Sequence, residues 1–132
     1  MRLTVSQVVQ TSPQLESDLQ KVCQDNEQTQ RLLDSINTGK LFCSTFNDRH
    51  IGAVAISAQG MVTSLVIGQP NRRRGIGSDL ITQTCKLLKG ELPQLSVDLA
   101  YLPTEQHLAM QNFLRHNKFI QNGLLWHRKV TV

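Results

Sequence analysis

Residues 61–90 constrain the chain more than any other stretch. Met61-Val62-Thr63-Ser64-Leu65-Val66-Ile67 is an apolar run that reads as a buried strand. Asn71-Arg72-Arg73-Arg74-Gly75-Ile76-Gly77-Ser78 follows, a turn rich in arginine and glycine. Ile76, Leu80, Ile81, Thr84, Leu87 and Leu88 then recur at the spacing of one helix face. Lys86, Lys89 and Gly90 sit where a helix C-terminus favours cations and a left-handed residue. The stretch therefore predicts a strand, a glycine-rich turn and a helix.

A helix start carries unpaired N–H groups and a partial positive charge. Gly75 and Gly77 lack Cβ, so a ligand can approach the backbone closely. Arg72, Arg73 and Arg74 add charge, and the whole is suited to cradling phosphate oxygens. The three-glycine dinucleotide fingerprint is absent, as is the Gly-Lys-Ser/Thr of a Walker loop. The spacing that is present is R-x-x-G-x-G, on Arg72, Gly75 and Gly77. A solvated arginine run before an ordinary helix is the plainer alternative. In its position between strand and helix, however, the turn resembles the acyl-CoA pyrophosphate loop of the GCN5-related N-acetyltransferase (GNAT) superfamily.

Length and composition narrow the classes further. A chain of 132 residues can bury one hydrophobic core, and residues 1–132 are expected to form a single domain. The formal charge of +4 suits an anionic ligand but is too small to imply nucleic acid. Four Phe, one Tyr and one Trp are too few for a base-stacking platform. No apolar run is long enough to span a membrane, and the first residues lack a signal-peptide core. Cys23, Cys43 and Cys85 form no close pair and no zinc spacing, which predicts reduced thiols in the cytoplasm and no metal site.

Taken in order, residues 3–8 alternate as a first strand, and Ser12-Pro13 opens a helix. Residues 25–28 form a polar break before a second helix, carried by Leu32, Leu33 and Ile36 and closed at Gly39. Residues 41–46, 51–58 and 61–67 form an antiparallel meander, turned by residues 47–50 and by Gln59-Gly60. After the central helix, residues 95–101 predict a strand parallel to residues 61–67 through a crossover. Thr104 caps a helix with Leu108, Ala109, Phe113 and Leu114 on its apolar face. Phe119-Ile120 and residues 124–132 close the chain around a turn at Gln121-Asn122-Gly123.

The predicted order, β-α-α-β-β-β-α-β-α-β-β, is similar to the mixed α/β GNAT fold along its whole length. In that family the strand before the loop splays from its parallel neighbour and pairs with the pantetheine arm of the cofactor. The resemblance implies that acetyl-CoA or CoA binds here, with Leu65, Val66 and Ile67 on the pantetheine. Asn71, Arg72, Arg73, Arg74, Gly75, Ile76, Gly77 and Ser78 would then line the pyrophosphate. Acetyl transfer needs a proton for the leaving thiolate, which GNAT enzymes often take from a tyrosine in a Y-x-x-x-G-F pattern. The corresponding run is Leu114-Arg115-His116-Asn117-Lys118-Phe119, with leucine in place of the tyrosine and lysine in place of the glycine. If the chain is an enzyme, Tyr101 is the best acid and Asp98 the candidate base. Each also reads as an ordinary residue of its strand, Tyr101 half-buried and Asp98 on the solvent face.

Four local runs are similar to one small GNAT family, the PanZ/PanM-type maturation and regulatory factors of aspartate α-decarboxylase. They are Met1-Arg2-Leu3-Thr4, Asp18-Leu19-Gln20-Lys21, Phe46-Asn47-Asp48-Arg49 and residues 71–77. The resemblance implies a CoA-sensing protein that binds the decarboxylase proenzyme and promotes its self-cleavage to the pyruvoyl form. It also implies partner contacts at Asn47 and Arg49, although Thr45 stands where an arginine would be expected. The competing expectation is an N-acetyltransferase acting on an amine of a small molecule or protein.

Overall fold

The computed structural model describes residues 3–23, 25–68 and 75–130. Among them the elements run β1 (Thr4–Val8), α1 (Pro13–Cys23), α2 (Asn26–Thr38), β2 (Gly39–Phe46), β3 (Arg49–Ser57) and β4 (Val62–Ile67). Then come α3 (Ile76–Leu87), β5 (Gln94–Asp98), α4 (His107–His116), β6 (Ile120–Asn122) and β7 (Leu125–Lys129). This is the order read from the sequence. The strands form one antiparallel sheet, β1-β2-β3-β4, and a second, β5-β7-β6.

Local chemistry accounts for several boundaries. Ser12 accepts the Leu15 N–H on its hydroxyl at 3.1 Å and opens α1. Asp25 does the same for the Glu27 N–H at 2.9 Å, so α2 begins at Asn26. Of the expected polar break at residues 25–28, Asn26, Glu27 and Gln28 therefore lie inside the helix, and only Asp25 stands outside it. Thr104 does not cap α4 but lies in a short 3-10 turn, Thr104–Gln106, ahead of it. At the β2–β3 turn Asn47 and Asp48 both have positive φ, 52° and 63°. That is a two-residue hairpin closed by the Phe46–Arg49 pair.

β2 and β3 are buried on both faces, which is why they read as apolar runs rather than alternating strands. Phe42, Val54 and Ile56 face Leu80, Ile81, Leu88, Leu95, Leu114 and Trp126 in one core. Leu41, Cys43, Ala53, Ala55 and Val66 face Leu15, Leu19 and Leu32 in the other. α1 and α2 thus cover one side of the meander and α3 the other. Burial pushes the Cys43 thiol up to about 12, and the Asp18 carboxylate adds to the shift, so this cysteine is a protonated core residue.

Two expectations about β5 are corrected. The strand ends at Asp98, and Leu99–Tyr101 is a 3-10 turn instead of its continuation. Asp98 Oδ1 accepts the Ala100 N–H at 2.9 Å, a local bond that competes with the sheet ladder. The register of the ladder closes there, with Asp98 opposite Leu125, the first residue of β7, and one last bond from the Leu99 N–H to the Leu124 carbonyl at 2.9 Å. The expected parallel pairing of β5 with β4 shrinks to one bridge between Met61 and Ser96. The strands otherwise belong to separate sheets.

The end of α4 explains the lysine in the Leu114–Phe119 run. The Phe119 N–H reaches the Leu114 carbonyl at 2.9 Å and the Lys118 N–H reaches Arg115 at 3.3 Å. These are the paired bonds of a helix C-terminus whose following residue must be left-handed. Lys118 occupies that position with φ +70°, which is unfavourable for a residue with Cβ. Lys118→Gly is expected to stabilise the fold by roughly 0.5–1 kcal/mol. A urea titration should show a higher midpoint at unchanged slope.

Candidate functional site

The separation of β4 from β5 opens a cleft of about 800 Å³. Its origin lies in β4. Ala55 pairs with Ser64 but Ile56 pairs with Val62, so Thr63 is an extra residue in the ladder. A bulge of this kind bends the strand and increases its twist. Below it, the Ser96 N–H bonds the Gly60 carbonyl at 2.9 Å and the Met61–Ser96 bridge joins the two strands. Above it, β5 turns to β7 and the β4 edge is left facing the cleft. Gln28 Nε2 donates to Ser64 Oγ at 3.2 Å and ties α2 to one end.

The predicted site residues divide on this frame. Leu65 lines the cleft. Ile67 packs beside Gly52 and approaches Gly77, while Val66 points to the opposite core among Leu15 and Leu19. Of the expected pantetheine set, then, Leu65 lines the cleft, Ile67 stands on the same strand face beyond it, and Val66 points away, as alternation along a strand requires. Asn71, Arg72, Arg73 and Arg74 lie outside the described residues. Gly75, Ile76, Gly77 and Ser78 form the start of α3, where the first N–H groups have no partner within the helix.

The two glycines serve different ends. Gly75 has φ +76°, and a Cβ there would meet nothing within 4 Å. It supplies a left-handed turn, and no described residue crowds the position of its missing Cβ. A Cβ on Gly77 would stand 3.1 Å from the Phe113 ring. Gly77 therefore lets α3 pack closely against α4, whatever else passes near it.

Asp98 and Tyr101 both line the cleft. Asp98 is half-buried rather than on a solvent face, and one carboxylate oxygen is occupied by the Ala100 N–H. Tyr101 is 85% exposed, so it is a rim residue and not a packing tyrosine. Leu114 is buried at the cleft wall with Met110 and Phe113. Sequence reasoning missed the Thr63 bulge, which has no signature inside an apolar run. It also passed over Gln28 and Arg31, whose place on the rim depends on how α2 lies across the sheet.

A second cluster surrounds the β2–β3 hairpin. Asn47 is exposed at its tip, and the Arg49 side chain is 58% exposed. Beneath them Asp18 of α1 is 3% exposed. Its Oδ2 accepts the His50 backbone N–H at 3.0 Å and the His50 ring Nδ1 at 2.7 Å. Its Oδ1 accepts Gln14 Nε2 at 2.8 Å and lies 3.6 Å from Arg49 Nη1. Burial alone would raise the Asp18 pKa, but the hydrogen bonds from His50 and Gln14 outweigh it and hold the carboxyl below its usual value. An ionised carboxylate only accepts, so the proton in the His50 contact sits on Nδ1.

With this geometry in place, comparison with known proteins is decisive. Residues 2–127 match the profile of the PanZ acetyltransferase (GNAT) domain. The chain belongs to the PanZ family of GNAT domains. A PanD regulatory factor from Salmonella typhimurium is 29% identical over 89 residues, covering 65% of this chain and 68% of that protein. The E. coli protein YhhK, solved by NMR bound to coenzyme A, superposes with a TM-score of 0.74 at 22% identity, covering 98% of this chain and 99% of that one. A GNAT acetyltransferase from Elizabethkingia anophelis with acetyl-CoA bound gives 0.64 at 14% identity, covering 96% and 97%. At these identities the structural matches establish the GNAT fold. Among the described residues, no helix is long and apolar enough to cross a membrane.

The lowered Asp18 pKa has a consequence for stability. A carboxyl depressed on folding stabilises fully above its unfolded pKa and loses that contribution as pH falls through the folded value. The stability advantage of the native chain over Asp18→Asn should therefore be constant above about pH 5 and shrink progressively below it. Urea midpoints for both proteins at neutral and acidic pH measure this directly.

Proposed function

We propose that this chain binds acetyl-CoA or CoA in the β4–β5 cleft and then binds the aspartate decarboxylase proenzyme. In that complex it promotes self-cleavage to the pyruvoyl form and so tunes pantothenate and CoA synthesis in the cytoplasm. It acts as a single GNAT domain over residues 1–132. The observation that carries this reading is the PanZ-family match over residues 2–127, on a chain whose cleft has Leu114 where a proton donor would stand.

The cleft suits the cofactor. Its inner wall is apolar, the β4 edge can pair with amides of a pantetheine arm, and the first turn of α3 offers N–H groups to a pyrophosphate. No described residue crowds Gly75, which suits close approach. The cofactor would supply the anionic pyrophosphate and, when it is acetyl-CoA, the thioester. The chain's residues hold and orient it, and Arg72, Arg73 and Arg74 add their positive charge from the sequence.

Self-cleavage requires the proenzyme to adopt a strained backbone, so that a serine can attack its preceding carbonyl. A protein that binds this conformer better than the relaxed one raises its population, by its differential affinity alone. The exposed hairpin with Asn47 and Arg49 is the docking surface in this reading. We expect cleavage of the proenzyme to be accelerated only when acetyl-CoA or CoA is present. Asn47→Ala or Arg49→Ala should slow it while acetyl-CoA binding by titration calorimetry is retained. The cleaved fraction against time on a denaturing gel is the measurement, and equal rates with and without this protein at saturating acetyl-CoA would refute the assignment.

A second reading, an N-acetyltransferase, is favoured by one observation: Asp98 and Tyr101 both border the cleft. Under the regulatory reading, thiol release from acetyl-CoA over a broad amine panel should stay near background. Robust turnover that is lost in Tyr101→Phe would establish the enzyme instead.

A further inference from the structure

The docking reading uses the outer side of the hairpin, but the chemistry on its inner side is the more unusual. Asp18 and the run at residues 46–49 are far apart in sequence and meet here. Burying a carboxylate is costly unless its oxygens are satisfied. Gln14 satisfies part of Asp18 from within α1, while the remaining partners all belong to the hairpin: the Arg49 guanidinium, the His50 N–H and the His50 ring. An apolar side chain could fill the same space without that cost, so what the carboxylate adds is direction. The turn it supports is one that residues with Cβ adopt reluctantly, at φ +52° and +63°. The strand it grips continues towards the glycine loop. Ile51, next after His50, accepts the Gly68 N–H at 2.8 Å, and Gly52 pairs with Ile67 at the end of β4.

We propose that Asp18 is a positioning residue of the docking hairpin. It clamps Arg49 and His50 from beneath, so that Asn47 and the outer face of Arg49 meet the partner already formed. A preformed contact surface avoids the ordering cost of association. The inference rests on the proposed docking to the decarboxylase proenzyme and adds to it a residue that need not touch the partner.

The test uses the full chain, acetyl-CoA and the proenzyme, with Asp18→Asn as the variant. Amide exchange at His50 should accelerate in the variant, while its acetyl-CoA affinity stays within about twofold of the native chain. Affinity for the proenzyme should fall about tenfold. In the double variant Asp18→Asn with Asn47→Ala the loss should be smaller than the sum of the two single losses, because both act through one element. Native-like proenzyme affinity in a folded Asp18→Asn protein would overturn the inference, as would strictly additive losses in the double variant. A native chain that does not bind the proenzyme at saturating acetyl-CoA would remove the docking reading and this inference together. If Asp18→Asn does not fold, His50→Ala replaces it with the same expected ordering, since Asp18 then keeps Gln14 and Arg49.

Discussion

The structure depends on a single failed pairing. Among the described residues, β4 and β5 are joined by one bridge, between Met61 and Ser96. Had the ladder continued, the two sheets would be one and no cleft would exist. Thr63 prevents it by adding a residue to β4 that β3 cannot match. A strand edge that faces a gap is normally a liability, because such edges invite association. Here it is recessed, with α4 residues Met110 and Phe113 across from it, and it forms one wall of the cleft.

Everything around the cleft serves to hold that separation open. α3 packs under β1, β2 and β3 through Leu80, Ile81 and Leu88, and Gly77 lets its first turn come close to Phe113. α4 is stopped by its left-handed Lys118, which turns Phe119 back onto Leu114 in the core. Arg128, buried in β7, donates from Nη1 to the Asn117 carbonyl at 3.1 Å and so closes the same helix end. A guanidinium at a helix C-terminus also meets the negative end of the helix dipole.

The hairpin stands on the other side of the meander, above the core shared with α1 and α2. Its geometry is set by a charge network rather than by packing. That division matters for function: the cleft wall is apolar and shaped by the backbone, whereas the hairpin is polar and shaped by Asp18. β3 is the element common to both, since it pairs with β2 through the hairpin and with β4 along the cleft.

Much of this was legible in the residues. Apolar runs and hydrophobic periodicity gave the order of the helices and strands, because burial marks the chain with a run, a period of two or one near 3.6, whereas Gln121 and Asn122, expected in a turn, belong to β6. The Arg72, Gly75 and Gly77 spacing pointed to the loop, since few other arrangements need two glycines at a helix start. Tertiary structure decided what local pattern cannot carry. Val66 faces away from the cleft because side chains alternate along β4 beyond the Thr63 bulge, yet a run apolar on both faces does not reveal which residues point where. β5 ends at Asp98, where its register reaches Leu125 at the start of β7, a fact about another strand. The Asp18 network joins residues from α1 and β3, and nothing near Asp18 in the sequence announces a partner about thirty residues away. Side-chain periodicity records burial, and burial is a local demand; register, splay and charge pairing depend on where distant segments meet.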